Sequence, residues 1–177
     1  MICTLCPRNC GAERAPEHGT GVCRMGTLPK IARAALHRWE EPCISGTRGS
    51  GAVFFSGCNL RCVFCQNRTI SRGEHGKEIT VAQLRGIFLR LRDEGVHNIN
   101  LVTPTHFLPS ILPALTPKLP VPVVYNCGGY ESVETLRQLE GLVDIYLPDF
   151  KYSDDRLAAK FSAAPDYAET AAAAIRE

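Results

Sequence analysis

Four brief apolar runs punctuate the chain: Ala52-Val53-Phe54-Phe55, Asn98-Ile99-Asn100-Leu101-Val102, Val121-Pro122-Val123-Val124-Tyr125 and Val143-Asp144-Ile145-Tyr146-Leu147. Each is rich in β-branched or aromatic residues and bounded by Gly, Pro or Asn, so each is predicted as a strand. Between them the apolar spacing lengthens to that of a helix. Behind Thr80, a good N-cap, Val81, Leu84, Ile87, Phe88 and Leu91 fall on one helical face, and Gly95 can end the helix in a left-handed conformation. Shorter helices are predicted from near Pro109, and behind Ser132 through Val133, Leu136 and Leu139. Residues 154–162 and then Tyr167 to the end also carry the helical pattern, the second capped by Asp166.

Strand and helix therefore alternate four times. This predicts an α/β fold of βαβ units with a parallel sheet or barrel, and functional residues on the loops after the carboxyl ends of the strands. Four parallel strands are half of an eight-stranded barrel. The final run Ala171-Ala172-Ala173-Ala174-Ile175-Arg176-Glu177 has no Gly, Asn or Pro to close it. The chain is thus expected to stop inside an element, with the fourth strand left as an unpaired, largely apolar edge and poor solubility as the result.

A length of 177 residues suits one ordinary domain, and 45% hydrophobic with 21% charged residues is average globular composition. The 20 basic and 18 acidic side chains give a formal charge of +2, too balanced to call for a nucleic-acid or membrane-surface partner. No basic region followed by an apolar run opens the chain, and no apolar stretch approaches the ~20 residues of a membrane span. A cytoplasmic location is expected.

The nine cysteines change the picture, because eight of them lie within the first 65 residues. In a reducing compartment such usage points to metal rather than disulfides. Cys3, Cys6, Cys10 and Cys23 form C-x2-C-x3-C-x12-C, while Cys58, Cys62 and Cys65 form C-x3-C-x2-C directly behind the first predicted strand. Cys43 and Cys127 stand apart and are expected as ordinary buried thiols. Three soft thiolates on one Gly-flanked loop suit a cuboidal iron-sulfur cluster with its fourth iron open, against a zinc knot or a packing cluster. Four thiols are enough to close a structural zinc site or to hold a second, electron-relay cluster, and spacing does not separate the two.

The C-x3-C-x-Φ-C loop, with Phe64 before its last cysteine, resembles the cluster loop of the radical S-adenosylmethionine superfamily. Trp39-Glu40-Glu41-Pro42-Cys43-Ile44-Ser45-Gly46, Phe54-Phe55-Ser56-Gly57-Cys58-Asn59-Leu60, Cys65-Gln66-Asn67, residues 98–106 and Asp144-Ile145-Tyr146-Leu147-Pro148-Asp149-Phe150-Lys151-Tyr152 resemble the branch similar to pyruvate formate-lyase activating enzyme. The resemblance implies that Cys58, Cys62 and Cys65 hold three irons of a [4Fe-4S] cluster. The fourth iron would chelate S-adenosylmethionine, and reductive cleavage would leave a 5′-deoxyadenosyl radical that abstracts hydrogen from a substrate. It further implies an electron donor such as flavodoxin or ferredoxin and, as protein substrate, a glycyl radical enzyme.

The same resemblance implies a partial parallel (β/α) barrel, truncated after about four of the family's six strands. Residues 1–48 would form a Cys-rich amino-terminal metal-binding segment and residues 49–177 an incomplete core. It also nominates cosubstrate ligands. Thr103 and His106 stand where activating enzymes carry a Gly-Gly-Glu segment, with a simple Thr-Pro turn as the other reading. Asn126 stands where activases often have an acid. Asp149 and Lys151 reproduce an Asp-x-Lys that faces the ribose or carboxylate, unless they are an ordinary surface ion pair. Phe64 would lie along the adenine, and Arg61 would compensate an anionic cluster. The rival functions are a non-catalytic zinc or iron-sulfur module or electron carrier, and a truncated, inactive form of the enzyme.

Overall fold

The computed structural model describes residues 2–177. Strands β1 (Ile2–Cys3) and β2 (Ala12–Glu13) pair antiparallel in a small amino-terminal lobe. β3 (Lys30–His37), β4 (Ser50–Phe55), β5 (Lys77–Glu78), β6 (Ile99–Val102), β7 (Val123–Cys127) and β8 (Ile145–Pro148) form one six-stranded sheet in the order β5-β3-β4-β6-β7-β8. The last four strands of that order are parallel, in the register Val53↔Leu101, Leu101↔Tyr125 and Tyr125↔Tyr146. All four predicted strands are therefore present, in a mostly parallel α/β sheet.

β3 is an addition to the predicted set. It pairs antiparallel with β4 from Ile31↔Phe55 to His37↔Ser50. Its sequence, Lys-Ile-Ala-Arg-Ala-Ala-Leu-His, holds one β-branched residue and three alanines, so its extended form comes from pairing with β4 rather than from intrinsic preference. β3 thus shares one sheet with β4, and the segment before Lys30 forms the small lobe.

Alternation along β6 and β7 sorts the two faces of the sheet. Ile99, Leu101, Val123 and Tyr125 join Val53 and Phe55 in the main core, covered by α3 (Val81–Asp93) and α4 (Leu108–Ala114). Asn100 and Asn126 point the other way. α3 begins with a full capping box, since the Gln83 amide donates to the Thr80 hydroxyl at 3.2 Å and the Thr80 amide donates to the Gln83 side chain at 2.8 Å. It buries Leu84, Phe88 and Leu91.

The helix behind Ser132 is shorter than its pattern. α5 stops at Arg137 (Val133–Arg137), and successive tight turns, Leu139 to Leu136 at 2.9 Å and Leu142 to Leu139 at 3.0 Å, carry the remaining apolar residues inward. The Asp154 carboxylate caps α6 (Asp155–Ser162) by accepting from the Arg156 amide at 2.8 Å. Asp166 does not cap α7 (Tyr167–Arg176) with its side chain, because its carboxylate accepts from the Tyr130 hydroxyl instead. Leu60, Tyr130, Ala158, Ala164, Tyr167 and Ala171 make a second small core beneath the cysteine loop.

Two thiols expected to be buried diverge. Cys127 is buried, but Cys43 is exposed, because the single turn of α1 (Pro42–Ser45) turns Ile44 and Ser45 inward instead. β8 forms an edge of the sheet, with Ile145 36% and Tyr146 44% exposed. No helix among the described residues is long and apolar enough to cross a membrane.

Candidate functional site

The carboxyl ends of β4, β6, β7 and β8 open into a cavity of about 630 Å³. That volume is in the range of small-molecule sites. Its wall holds Cys58, Cys62 and Cys65 from the loop after β4, Thr103 after β6, Asn126 on β7, and Asp149 and Lys151 after β8. Phe64 also lines it, with its ring 6.2 Å from that of Tyr152. Residues nominated from four separate stretches of sequence are thus brought to one place.

The cysteine loop leaves β4 through Gly57, whose φ of +81° suits glycine and whose position leaves no room for a side chain: a Cβ there would stand 2.5 Å from Met25 Cγ and 2.9 Å from the Cys23 carbonyl oxygen. The Leu60 amide donates to Cys58 Sγ at 3.3 Å and the Ser162 hydroxyl to Cys62 Sγ at 2.9 Å. Burial pushes the Cys58 thiol up to about 12, against the Leu60 amide, with Cys62 and Cys65 adding to the rise. Such a thiol ionises when a cation takes the place of its proton. All nine cysteines are free, and no group of three His, Cys, Asp or Glu among the described residues is already gathered to metal-holding distance. The fold supplies three thiols on one short loop with a cavity beside them. This donor set fits a cubane cluster that keeps one iron for an outside ligand.

Lys151 forms an ion pair with Asp149. Burial alone would lower the Lys151 ammonium, but the Asp149 hydrogen bond and charge, with Cys62 and Cys58 beyond them, outweigh it and raise it. A cation is therefore held at the cysteine loop. Thr103 adopts a left-handed φ of +58°, and its amide donates to the Asn126 carbonyl at 2.9 Å, which ties the ends of β6 and β7 together.

His106 is not at the cavity. It is buried, its Nε2 lies 2.7 Å from the Ser56 carbonyl oxygen, and burial pushes the imidazole down to about 4 despite that bond. Neutral at ordinary pH, it fixes the exit of β4 through the Ser56 carbonyl.

Three further side chains near the strand ends have no counterpart among the residues nominated from sequence, and of them Glu40 lines the cavity. Glu40 reaches over the polar face of the sheet, where its carboxylate accepts from Asn100 at 2.7 Å and from Asn126 at 3.5 Å. Burial and the charge of Glu41 push this carboxyl up, opposed by His37 and Asn100. Glu40 thus brings a carboxylate from the β3–α1 connection to the side of Asn126. Tyr167, the first residue of α7, accepts from the Lys151 amide at 2.9 Å, and its hydroxyl is 2.8 Å from the Gly128 carbonyl and 3.0 Å from that of Asp149. Glu131 is wholly buried and accepts from Thr105 at 2.7 Å and Tyr125 at 3.1 Å. Burial pushes it up to about 7 against those bonds. None of the three has a local sequence signature. Each is defined by partners distant in the chain.

Residues 52–177 match the family model described as the Radical SAM superfamily. The chain is also 34% identical over 175 residues to an uncharacterized protein, MJ0674, of Methanocaldococcus jannaschii, a match covering 93% of this chain and 50% of that relative. It therefore spans about half the length of the curated relative it matches. Three thiols on the loop after the first parallel strand, a cavity at the strand ends, and a family match running from β4 through α7 agree: the chain belongs to the Radical SAM superfamily.

Proposed function

We propose that this chain holds a [4Fe-4S] cluster through Cys58, Cys62 and Cys65, and that S-adenosylmethionine fills the cavity beside it for reductive cleavage. The single observation behind this reading is the convergence of those three thiols with Glu40, Asp149 and Lys151 around one cavity. Opposite charges lining one cavity suit a zwitterionic cosubstrate: Glu40 would meet a cationic group and Lys151 an anionic one. Phe64 offers a ring for an adenine, and Thr103 and Asn126 offer hydrogen bonds. When bound, the cluster supplies the electron that splits the sulfonium bond, giving methionine and a 5′-deoxyadenosyl radical that takes a hydrogen atom from a substrate. The chain's own task is to orient the cosubstrate within this cavity and to keep water from it.

The finer assignments are part of the same proposal. The branch is that of the glycyl-radical-enzyme activases, the reductant is a flavodoxin or ferredoxin in the cytoplasm, and the hydrogen donor is a glycine of a partner enzyme. The test is anaerobic reconstitution with iron and sulfide, reduction, and addition of S-adenosylmethionine. Formation of 5′-deoxyadenosine is expected. A reconstituted, reduced cluster that gives none would remove the enzymatic reading. Zinc in place of iron at Cys58, Cys62 and Cys65 would favour a non-catalytic module.

A further inference from the structure

The lobe before Lys30 is too small to hold itself together by apolar burial. Its paired strands are two residues each, and its buried apolar side chains are Cys3, Ala12 and Met25. A unit of this size needs a covalent or metal staple. Four thiols lie inside it. Cys3 pairs with Ala12 across β1 and β2, a Cβ on Gly21 would stand 3.0 Å from Ala12 Cβ, and the Arg14 guanidinium lies 3.9 Å from Cys3 Sγ while donating to the Met25 carbonyl at 3.1 Å, two residues past Cys23. Cys10 Sγ lies 3.0 Å from where a Cβ on Gly21 would stand, which folds the exposed end of the group back against the turn before Cys23. Cys43 and Cys127 are outside the lobe.

The lobe is also fastened to the cysteine loop, through residues set between or beside its own thiols. Arg8, between Cys6 and Cys10, donates from Nε to the Asn59 carbonyl at 2.7 Å, and Asn59 sits between Cys58 and Cys62. Its other guanidinium nitrogens donate to the carbonyls of Ala163 and, at 3.3 Å, Ser162, whose hydroxyl meets Cys62. The guanidinium also lies over the Tyr130 ring, 5.2 Å from its centre. On the other side, Met25 and the Cys23 carbonyl close on Gly57. The Cys23 carbonyl thus abuts the residue before Cys58, so the two thiol groups are neighbours.

We propose that Cys3, Cys6, Cys10 and Cys23 bind one zinc ion, and that this ion clamps Arg8 and Met25 onto the loop that carries Cys58, Cys62 and Cys65. Four thiolates close a tetrahedral zinc site, and the Cys3–Cys6 spacing is that of a zinc turn. Metal binding fixes the backbone of residues 6–10, and Arg8 carries that rigidity to Asn59. The zinc site stands by itself, whereas its effect on a cluster rests on the function proposed above.

The test is zinc content by mass spectrometry in a chain with Cys58, Cys62 and Cys65 all changed to Ala. One zinc per chain with four-sulfur coordination by X-ray absorption is expected, with loss on a further Cys6→Ser or Cys23→Ser change. No zinc, or zinc unchanged by those substitutions, overturns the site. Since the triple variant can fail to fold, the same count is made on the reconstituted wild-type chain. One zinc beside about four irons is expected there, and about eight irons with no zinc overturns it. Arg8→Ala should keep the zinc and speed amide hydrogen exchange in residues 58–65 by about tenfold. Unchanged exchange overturns the clamp. Loss of S-adenosylmethionine cleavage alone bears only on the proposed function.

Discussion

The side-chain amide of Asn100 donates to the carboxylate of Glu40 at 2.7 Å, joining the middle of β6 to a connection 60 positions earlier in the chain. That bond orients an acid on the open face of the sheet. Replacing Glu40 by Gln keeps its size and removes its charge. A hydrogen bond to a charged group contributes about 1.5–3 kcal/mol, so calorimetric titration of the reconstituted chain should show S-adenosylmethionine affinity falling about 10- to 100-fold with iron content unchanged. Equal affinity would take Glu40 out of the site.

Tyr167 joins one hydroxyl to backbone groups after β7 and β8. In Tyr167→Phe the Lys151 amide loses its acceptor, and two carbonyls lose their donor. Denaturant unfolding should show a loss of about 1–3 kcal/mol. The Lys151 amide should exchange faster than the amides of α3.

Gly129 has a φ of +75°, and a Cβ on it would stand 2.1 Å from the Asp149 carbonyl oxygen. A backbone atom cannot move aside as a side-chain end can. Gly129→Ala is therefore expected to separate the ends of β7 and β8 and to cost about 3 kcal/mol or more. A melting temperature within a degree of wild type would contradict this packing.

Glu131 and His106 give opposite pH dependences. The folded protein holds a proton on Glu131 up to about 7, above its ordinary value of 4.5, so the native state binds more protons across that window and stability falls as pH rises. His106 is held neutral down to about 4, below its ordinary 6.5, so the unfolded state binds more protons and stability rises with pH there. The two slopes largely cancel between about pH 4.5 and 6.5. Glu131→Gln should expose the rising slope and His106→Gln the falling one, read from chemical denaturation at several pH values. Parallel profiles for both variants would refute the assignment.

The edge of β8 exposes Ile145 and Tyr146. Concentration-dependent self-association is expected, and Tyr146→Lys should reduce it in sedimentation velocity experiments. A wild-type chain that stays monomeric at high concentration would count against an adhesive edge.

The parallel strands and the cysteine loop were legible because both depend on local pattern. Runs such as Ala52–Phe55 state their burial directly, and Cys58, Cys62 and Cys65 lie within one turn-rich loop. Where a function is made by distant partners, local pattern is silent. β3 is extended because β4 pairs with it, although its alanines favour a helix. Asp166 has the chemistry of a cap, yet Tyr130 claims it. His106 was nominated by the family resemblance, and its burial against Ser56, fifty positions earlier, had no local sign in the sequence. Glu40 lies within a stretch that itself carried the family resemblance, and only the folded sheet shows why an acid is there.

The antiparallel flank of β3 and β5 makes the sheet directional. With those two strands on the far side of β4, the parallel row can lengthen only from β8. Any further strand, from this chain or another, must join beside Ile145 and Tyr146, next to the Asp149–Lys151 pair. That edge runs directly into Asp149 and Lys151, which line the cavity. An occupant of that edge would therefore stand close to the cavity and bear on how much water enters it.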